Sequence, residues 1–348
     1  MYLEQIFETA ISANASDIHI VAGLPPIARV NGQLIHMGAQ TLSPSQTEEF
    51  TKMILSDRLF GTLKEVGECD TSYNHQERCN FRVNAFLQKG NCALVLRLIQ
   101  SKIPTLRDLN FPEVFKSLCA KRNGLVLVTG PTGSGKSTTL AAMIDFISKT
   151  RKEHIITIED PVEYIFGHGN GIINQRQVGL DTKGFAPAIR AALREDPDVI
   201  VIGEMRDLET ISAALTAAET GHLVLSTLHT IGAAKTIDRI LDAFPPEQQA
   251  QIKIQLSSVL EGVISQQLVQ NRSNGRSCVL EIMMANYAIS NLIKEGKTTQ
   301  IPNIMQMGKA DGMVLMDQSL INLYQQGDIT QQTLFKYASD KNMIRTIL

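Results

Sequence analysis

Cysteine is sparse and scattered: Cys69, Cys79, Cys92, Cys119 and Cys278 are odd in number and form no C-x-x-C pair. That pattern excludes a disulfide framework and a cysteine zinc site, and predicts reduced thiols in a cytosolic protein. Charge of one sign is also missing. Lysine and arginine number 33 against 35 acidic residues, so the net charge of -2 lacks the basic excess that holds a protein on nucleic acid, and no nucleic-acid partner is expected. No apolar run approaches the ~18 residues of a membrane span. The opening Met1-Tyr2-Leu3-Glu4-Gln5 has no basic segment leading into an apolar core, so a chain neither embedded nor exported is expected. Polar low-complexity tracts are absent too. With 43% hydrophobic and 20% charged residues over 348 positions, what remains is a globular composition with room for two domains.

Residues 1–100 read as a small α+β domain. Leu3, Ile6, Phe7, Ala10 and Ile11 recur at helical spacing, then Asp17-Ile18-His19-Ile20-Val21 alternates with strand period. Asn31-Gly32 between Ile27-Ala28-Arg29-Val30 and Gln33-Leu34-Ile35 is a two-residue hairpin signal. Ser43-Pro44 predicts a helix start, with serine as cap and proline at the first helical position. Strands are expected around Arg82–Phe86 and Ala93–Arg97, followed by a linker over 101–115.

From about Gly124 the pattern becomes short apolar strands alternating with helices, the signature of a parallel sheet covered on both faces. The expected strands are Leu125–Val128, Ile155–Ile158, Val199–Ile202 and Leu223–Ser226. After about residue 246 helices are expected to dominate, at Gln249–Gln267, Ala288–Lys294 and Asp317–Gln325, giving a helical C-terminal part over 246–348.

The chemistry concentrates at strand ends. Gly130-Pro131-Thr132-Gly133-Ser134-Gly135-Lys136-Ser137 matches G-x-x-x-x-G-K-S after a strand and before a helix. A triphosphate needs many donors at close range, which only a backbone with few side chains can supply. Thr132, Gly133, Ser134, Gly135, Lys136, Ser137 and Thr138 are therefore expected to bind ATP. Lys136 would reach the β/γ oxygens and Ser137 would ligate Mg²⁺. Three carboxylates, Glu159, Asp160 and Glu163, follow the second strand, where one could orient or deprotonate water. Asp198-Val199-Ile200-Val201-Ile202-Gly203-Glu204 resembles a Walker B strand with glutamate at the metal end. Glu204 is expected to contact Mg²⁺ through water, leaving Glu163 as the base. His229, at the carboxyl end of the strand beginning at Leu223, is expected to sense the γ-phosphate, and His222 to be an ordinary structural donor.

Taken in order, Ser16-Asp17-Ile18-His19, the glycine-rich loop, residues 157–163, Gly203-Glu204-Met205-Arg206-Asp207 and residues 221–229 run nearly end to end. In these motifs the chain resembles the secretion ATPases of type IV pilus and type II secretion systems, and within them the PilT-like retraction branch. The resemblance implies an α/β chain with a PAS-like N-terminal domain (1–100) and a RecA-like P-loop ATPase domain (116–348) ending in a helical subdomain. It further implies a homohexamer with ATP between the domains, at the cytoplasmic face of the inner membrane and acting on a pilus platform protein. Arg82 in Phe81-Arg82-Val83-Asn84 and Arg97 in Leu96-Arg97-Leu98-Ile99 match the family's phosphate-reaching arginines.

The branch rests on two absences and one departure. The extension ATPases carry a further N-terminal domain and a four-cysteine zinc insertion; this chain begins at the Ser-Asp-Ile-His domain and has no C-x-x-C. Where the retraction branch carries Ala-Ile-Arg-Asn-Leu-Ile-Arg-Glu, this chain reads Ala288-Ile289-Ser290-Asn291-Leu292-Ile293-Lys294-Glu295, with serine and lysine in place of the arginines. A PilU-like accessory motor and a DotB-like secretion ATPase are the alternatives. A nucleic-acid translocase is disfavoured by charge, and a non-catalytic ring scaffold by the presence of Lys136, Glu163 and Glu204 together.

Overall fold

A computed structural model describes residues 3–30, 32–75, 79–99, 103–273 and 275–347. Its contacts divide the chain into two units: residues 1–103 with 161–165, and residues 104–160 with 166–348.

In the first unit, helix α1 (Leu3–Ser12) leads to β1 (Asp17–Ile20), β2 (Ile27–Val30) and β3 (Gln33–His36). Then follow α2 (Pro44–Ile54), α3 (Asp57–Val66), β4 (Glu68–His75), β5 (Cys79–Gln88) and β6 (Asn91–Ile99). The strands form one antiparallel sheet in the order β3-β2-β1-β6-β5-β4. Asn31 of the expected hairpin turn lies outside the described residues, but its flanking strands pair, Val30 opposite Gln33. The start of α2 is as the sequence implies. Ser43 Oγ accepts from Gln46 N at 3.2 Å while Gln46 Oε1 accepts from Ser43 N at 2.9 Å, and Pro44 occupies the first turn. This reciprocal cap is worth about 1 kcal/mol. Strand alternation decides what β5 and β6 bury: Phe81, Val83, Ala85, Leu94 and Leu96 join Phe7, Ile18 and Leu63 in the core. Arg82 and Arg97 are thereby turned to the opposite face.

The second unit starts earlier than the sequence suggested. Ser101 and Lys102 lie outside the described residues, but residues from 104 onward are packed rather than spanning. Leu106, Val114 and Phe115 are buried, and Phe111 stacks on Phe115 with ring centroids 4.4 Å apart. The proline-marked stretch therefore supplies core side chains.

The second unit continues with α4 (Val114–Cys119), β7 (Gly124–Thr129), α5 (Lys136–Thr150), β8 (His154–Glu159), β9 (Ile172–Gln177), α6 (Phe185–Ala192) and β10 (Val199–Ile202). After these come α7 (Leu208–Glu219), β11 (Leu223–Leu228), α8 (Ala233–Asp242), α9 (Pro246–Val259), β12 (Leu260–Gln270) and β13 (Arg276–Met284). The chain ends in α10 (Tyr287–Glu295), α11 (Ile301–Met307), α12 (Met316–Gln325), α13 (Gln331–Tyr337) and α14 (Lys341–Ile347). The seven-stranded sheet has the order β13-β12-β7-β11-β10-β8-β9, parallel except for β13. One face packs Leu125, Leu127, Ile200 and Val263 against α6 to α11; the other packs Val126, Val128 and Ile264 against α4 and α5.

This corrects the expectation of helix over Gln249–Gln267. The helix stops at Val259, and β12 begins at once, because Leu260 leaves helical geometry with φ -68 and ψ 122. The C-terminal part is thus a long hairpin followed by helices. Among the described residues no helix is long and apolar enough to cross a membrane. All five cysteines are free thiols. Burial pushes Cys119 and Cys278 up to about 12 and Cys79 up to about 11, so these thiols stay protonated at neutral pH.

Candidate active site

The register of the parallel strands aligns their carboxyl ends. Thr129 pairs with Leu228, Ser226 with Ile202, and Ile202 with Ile158, so the segments that follow leave the sheet side by side. Short bonds lock them together. Gly130 N donates to Leu228 O at 3.2 Å, Met205 N to Thr227 O at 3.0 Å, Gly203 N to Ile158 O at 2.8 Å, and Thr227 Oγ1 to Gly203 O at 2.6 Å. In open α/β sheets this edge is where ligands bind.

The glycine-rich loop bridges β7 and α5 with Gly130, Gly133 and Gly135 all at positive φ, +144, +77 and +90. At Gly130 a side chain is excluded twice, since an added Cβ would also lie 2.2 Å from Gln266 O. Lys136 opens the helix and folds over the loop, its Nζ donating to Gly130 O at 2.9 Å and to Pro131 O at 3.1 Å. Ser134 Oγ is buried with no hydrogen-bond partner, while Thr132, Gly133 and Ser137 are exposed and Thr138 is half-buried. Positive φ values at the glycines, exposed loop residues, a helix N-terminus and a lysine together make a concavity for anions.

Next to it stand Glu204 and His229. His229 Nε2 lies 3.4 Å from Glu204 Oε2, and the other Glu204 oxygen meets Arg206 Nε at 2.6 Å. Two residues 25 apart in sequence are neighbours because they extend adjacent strands. His222 has the structural part expected of it, with Nδ1 at 2.9 Å from Ala217 O and 3.2 Å from Thr220 Oγ1.

The acidic stretch after β8 is divided between the two units. Glu159 Oε1 accepts from Thr157 Oγ1 at 2.6 Å and from Gln175 Nε2 at 3.2 Å, which gives it a structural role in the second unit. Glu163 belongs to the first unit, where Arg82 Nη1 lies 3.5 Å from its Oε1.

Arg82 and Arg97 are direct cross-strand partners between β5 and β6, and Asp17 and Arg29 continue the same row across β1 and β2. Like charges directly opposite one another destabilise a sheet, so each needs an offset. Glu163 supplies it for Arg82; Asp17 supplies it for Arg97, at 2.9 Å from Arg97 Nε. Burial pushes the Asp17 carboxyl up, but hydrogen bonds from Ser16 and Arg97 and the charges of Arg97 and His19 outweigh it and hold the group below its ordinary value. The Ser16-Asp17-Ile18-His19 motif is thus the seat of an arginine.

Sequence reasoning missed Gln266 and Glu281. Gln266 contacts the loop directly. Glu281 Oε1 accepts from Ala233 N at 2.7 Å and its Oε2 from Met316 N at 3.2 Å, so one carboxylate caps both α8 and α12. No motif flagged either, because each acts across more than 30 residues of intervening chain.

A mostly parallel sheet that sets a glycine-rich loop, a carboxylate and a histidine at the ends of adjacent strands has the plan of a P-loop ATPase. Comparison with known proteins narrows the class. Residues 1–344 match the family described as Type II/IV secretion system protein. The chain is 46% identical to the type IV pilus retraction ATPase PilT of Pseudomonas aeruginosa, over 95% of this chain and 96% of that one. It is 39% identical to the type IV pilus ATPase PilU of the same organism, over 100% and 91%. A crystal structure of the pilus retraction motor PilT with bound ADP superposes with a TM-score of 0.93 at 46% identity, covering 99% of each chain. The chain belongs to the Type II/IV secretion system protein family, a family of secretion ATPases.

Proposed function

We propose that this chain is the ATP-hydrolysing subunit of a homohexameric motor that retracts type IV pili, working on an inner-membrane platform protein from the cytoplasmic side. One observation carries the hydrolytic reading: the glycine-rich loop, His229 and Glu204 extend β7, β11 and β10, three strands adjacent in the sheet. The retraction reading follows the relatives named above.

The loop residues Thr132 to Thr138 hold the phosphates in this scheme, with Lys136 leaving its loop carbonyls for the β/γ oxygens. The orphaned Ser134 hydroxyl is a further polar group in the loop that binding could satisfy. Glu163 activates the attacking water, and His229 registers the γ-phosphate through its link to Glu204. Arg82 and Arg97 neutralise charge on the transferring group. Among the described residues no three His, Cys, Asp or Glu side chains group to hold a metal by themselves. A divalent ion must then draw most of its oxygens from phosphate and water, which suits Mg²⁺ held by Ser137 and, through water, Glu204. When bound, the ion would neutralise negative charge on the phosphates.

Steady-state ATPase assays of the purified chain test the chemistry. Lys136→Ala should abolish turnover with the fold intact, and Glu163→Gln should bind ATP but not hydrolyse it; wild-type turnover in Glu163→Gln would remove the base assignment. In the host, deletion should leave excess surface pili and no twitching. Bald cells would point to extension and overturn retraction.

A further inference from the structure

β12 runs beside β7, the strand that feeds the glycine-rich loop, with Ser265 opposite Thr129. The next residue, Gln266, is 1% exposed. An amide so buried needs partners, and it finds them on the loop. Its Nε2 donates to Ser134 O at 2.6 Å, and its Oε1 accepts from Thr139 Oγ1 at 2.8 Å. Because the Ser134 carbonyl can only accept, the amide has one orientation; flipped, it would set oxygen against oxygen. The backbone of the same residue presses on the loop at Gly130, and a Cβ on Gly135 would lie 3.2 Å from Gln266 Nε2.

We infer that Gln266 is a positioning residue for the phosphate loop, acting through the Ser134–Gly135 peptide. A peptide is planar and trans, so its carbonyl and its N–H point in opposite directions. Pinning the Ser134 carbonyl to Gln266 turns the Gly135 N–H away from β12. There it is available to the anion concavity of the loop, and Gly135, at φ +90, continues the turn. Thr139 lies in the first turn of α5, so the same side chain ties loop and helix into one piece. A ligand phosphate then meets amides that are already aimed, and little ordering is left for binding to drive. The inference rests on the reading of residues 130–137 as the phosphate loop.

A residue that merely fills the core would alter stability and leave phosphate affinity alone. The test uses the full chain, with ATPase kinetics, binding of a fluorescent ADP analogue and thermal melts for Gln266→Leu, Gln266→Glu and Thr139→Val, and with Lys136→Ala in parallel. Ground state and transition state use the same amides, so Gln266→Leu should raise KM for ATP and Kd for ADP about 10-fold while kcat changes about 2-fold or less. Gln266→Glu keeps the acceptor for Thr139 but turns an oxygen on Ser134 O, and should lose at least as much affinity. Thr139→Val frees only the other end and should cost about 3-fold. KM and Kd within about 2-fold of wild type in Gln266→Leu, below the effect of one lost hydrogen bond, would overturn the inference, as would a loss confined to kcat. If Lys136→Ala also keeps ADP affinity, the loop reading itself falls; if Lys136→Ala loses it while Gln266→Leu does not, only the role of Gln266 falls. Should Gln266→Leu not fold, Thr139→Val decides, and an unchanged KM there overturns the proposal.

Discussion

Arg97 donates its Nε–H to Asp17 Oδ1 at 2.9 Å, directly across the β1–β6 ladder, while its side chain stays 68% exposed. The guanidinium is aimed yet open to solvent. Asp17→Asn removes the charge that aims it and leaves the register of β1 untouched. With Asp17 buried but the guanidinium open to solvent, about a 3-fold drop in ATPase kcat is expected. Arg97→Ala should fall much further, and adding Asp17→Asn to it should change nothing more. A further drop in the double variant would mean that Asp17 acts by another route.

Glycines of the loop should not be equivalent. Gly130→Ala drives a methyl to 2.2 Å from the Gln266 carbonyl oxygen and should cost about 3 kcal/mol or more in chemical denaturation. Around Gly133 nothing lies within 4 Å, so Gly133→Ala meets only the strain of φ +77 and should cost about 1 kcal/mol. Equal costs would refute the close approach of β12.

Acid should weaken the fold through His19. Burial, helped by Arg29 and opposed by Asp17, holds the imidazole below its ordinary 6.5. The unfolded chain therefore takes up the proton first, so the contribution of His19 is complete above 6.5 and is lost as pH falls through the lower folded value. Asp17, also lowered, adds a loss of the same sign as pH falls from 3.8 through its folded value. Tm should drop as pH falls below 6.5, and part of that drop should vanish in His19→Gln. Identical drops in the two proteins would contradict this.

The sequence was most legible where chemistry is local. The α2 cap, the glycine-rich loop and the apolar strands β7, β8, β10 and β11 follow from neighbours within a few residues. Two edge strands give no signal: β4 reads Glu-Cys-Asp-Thr-Ser-Tyr-Asn-His and β9 Ile-Ile-Asn-Gln-Arg-Gln, with polar residues along a side the sheet does not bury. β12 is not separated from the helix expected over Gln249–Gln267, although Gly262 and the Val263-Ile264 that follow it stand inside that span. Glu159, Asp160 and Glu163 read as one acidic loop; what divides Glu159 from Glu163 is contact with Gln175, 16 residues from Glu159, and with Arg82, 81 residues from Glu163. The replaced positions Ser290 and Lys294 fall on the outer face of α10 with Tyr287, whose exposure is 83%, while Ile289 and Ile293 face inward. The change is one of surface chemistry, not of core.

Glu281 should matter more than an ordinary surface acid. Glu281→Ala strips a cap from α8 and from α12 at once and should cost about 2–3 kcal/mol in denaturant melts. Hydrogen exchange should accelerate at the amides of Ala233 and Met316 together. Acceleration at only one would show that the two helices do not share the carboxylate.

Ser265 and Gln266 are successive residues on β12, so they point to opposite faces: Ser265 Oγ accepts from Gly232 N at 2.8 Å beyond His229, and Gln266 Nε2 donates to Ser134 O of the glycine-rich loop at 2.6 Å. A hairpin that closed one residue out of register would exchange those faces and lose both contacts. Such a chain could still be compact and keep most of its secondary structure, but its loop would no longer be shaped for nucleotide. Because ligand stabilises only the form that binds it, cellular ATP would draw newly made chains toward the correctly threaded hairpin. Nucleotide would then act as a proofreader of folding as well as a fuel.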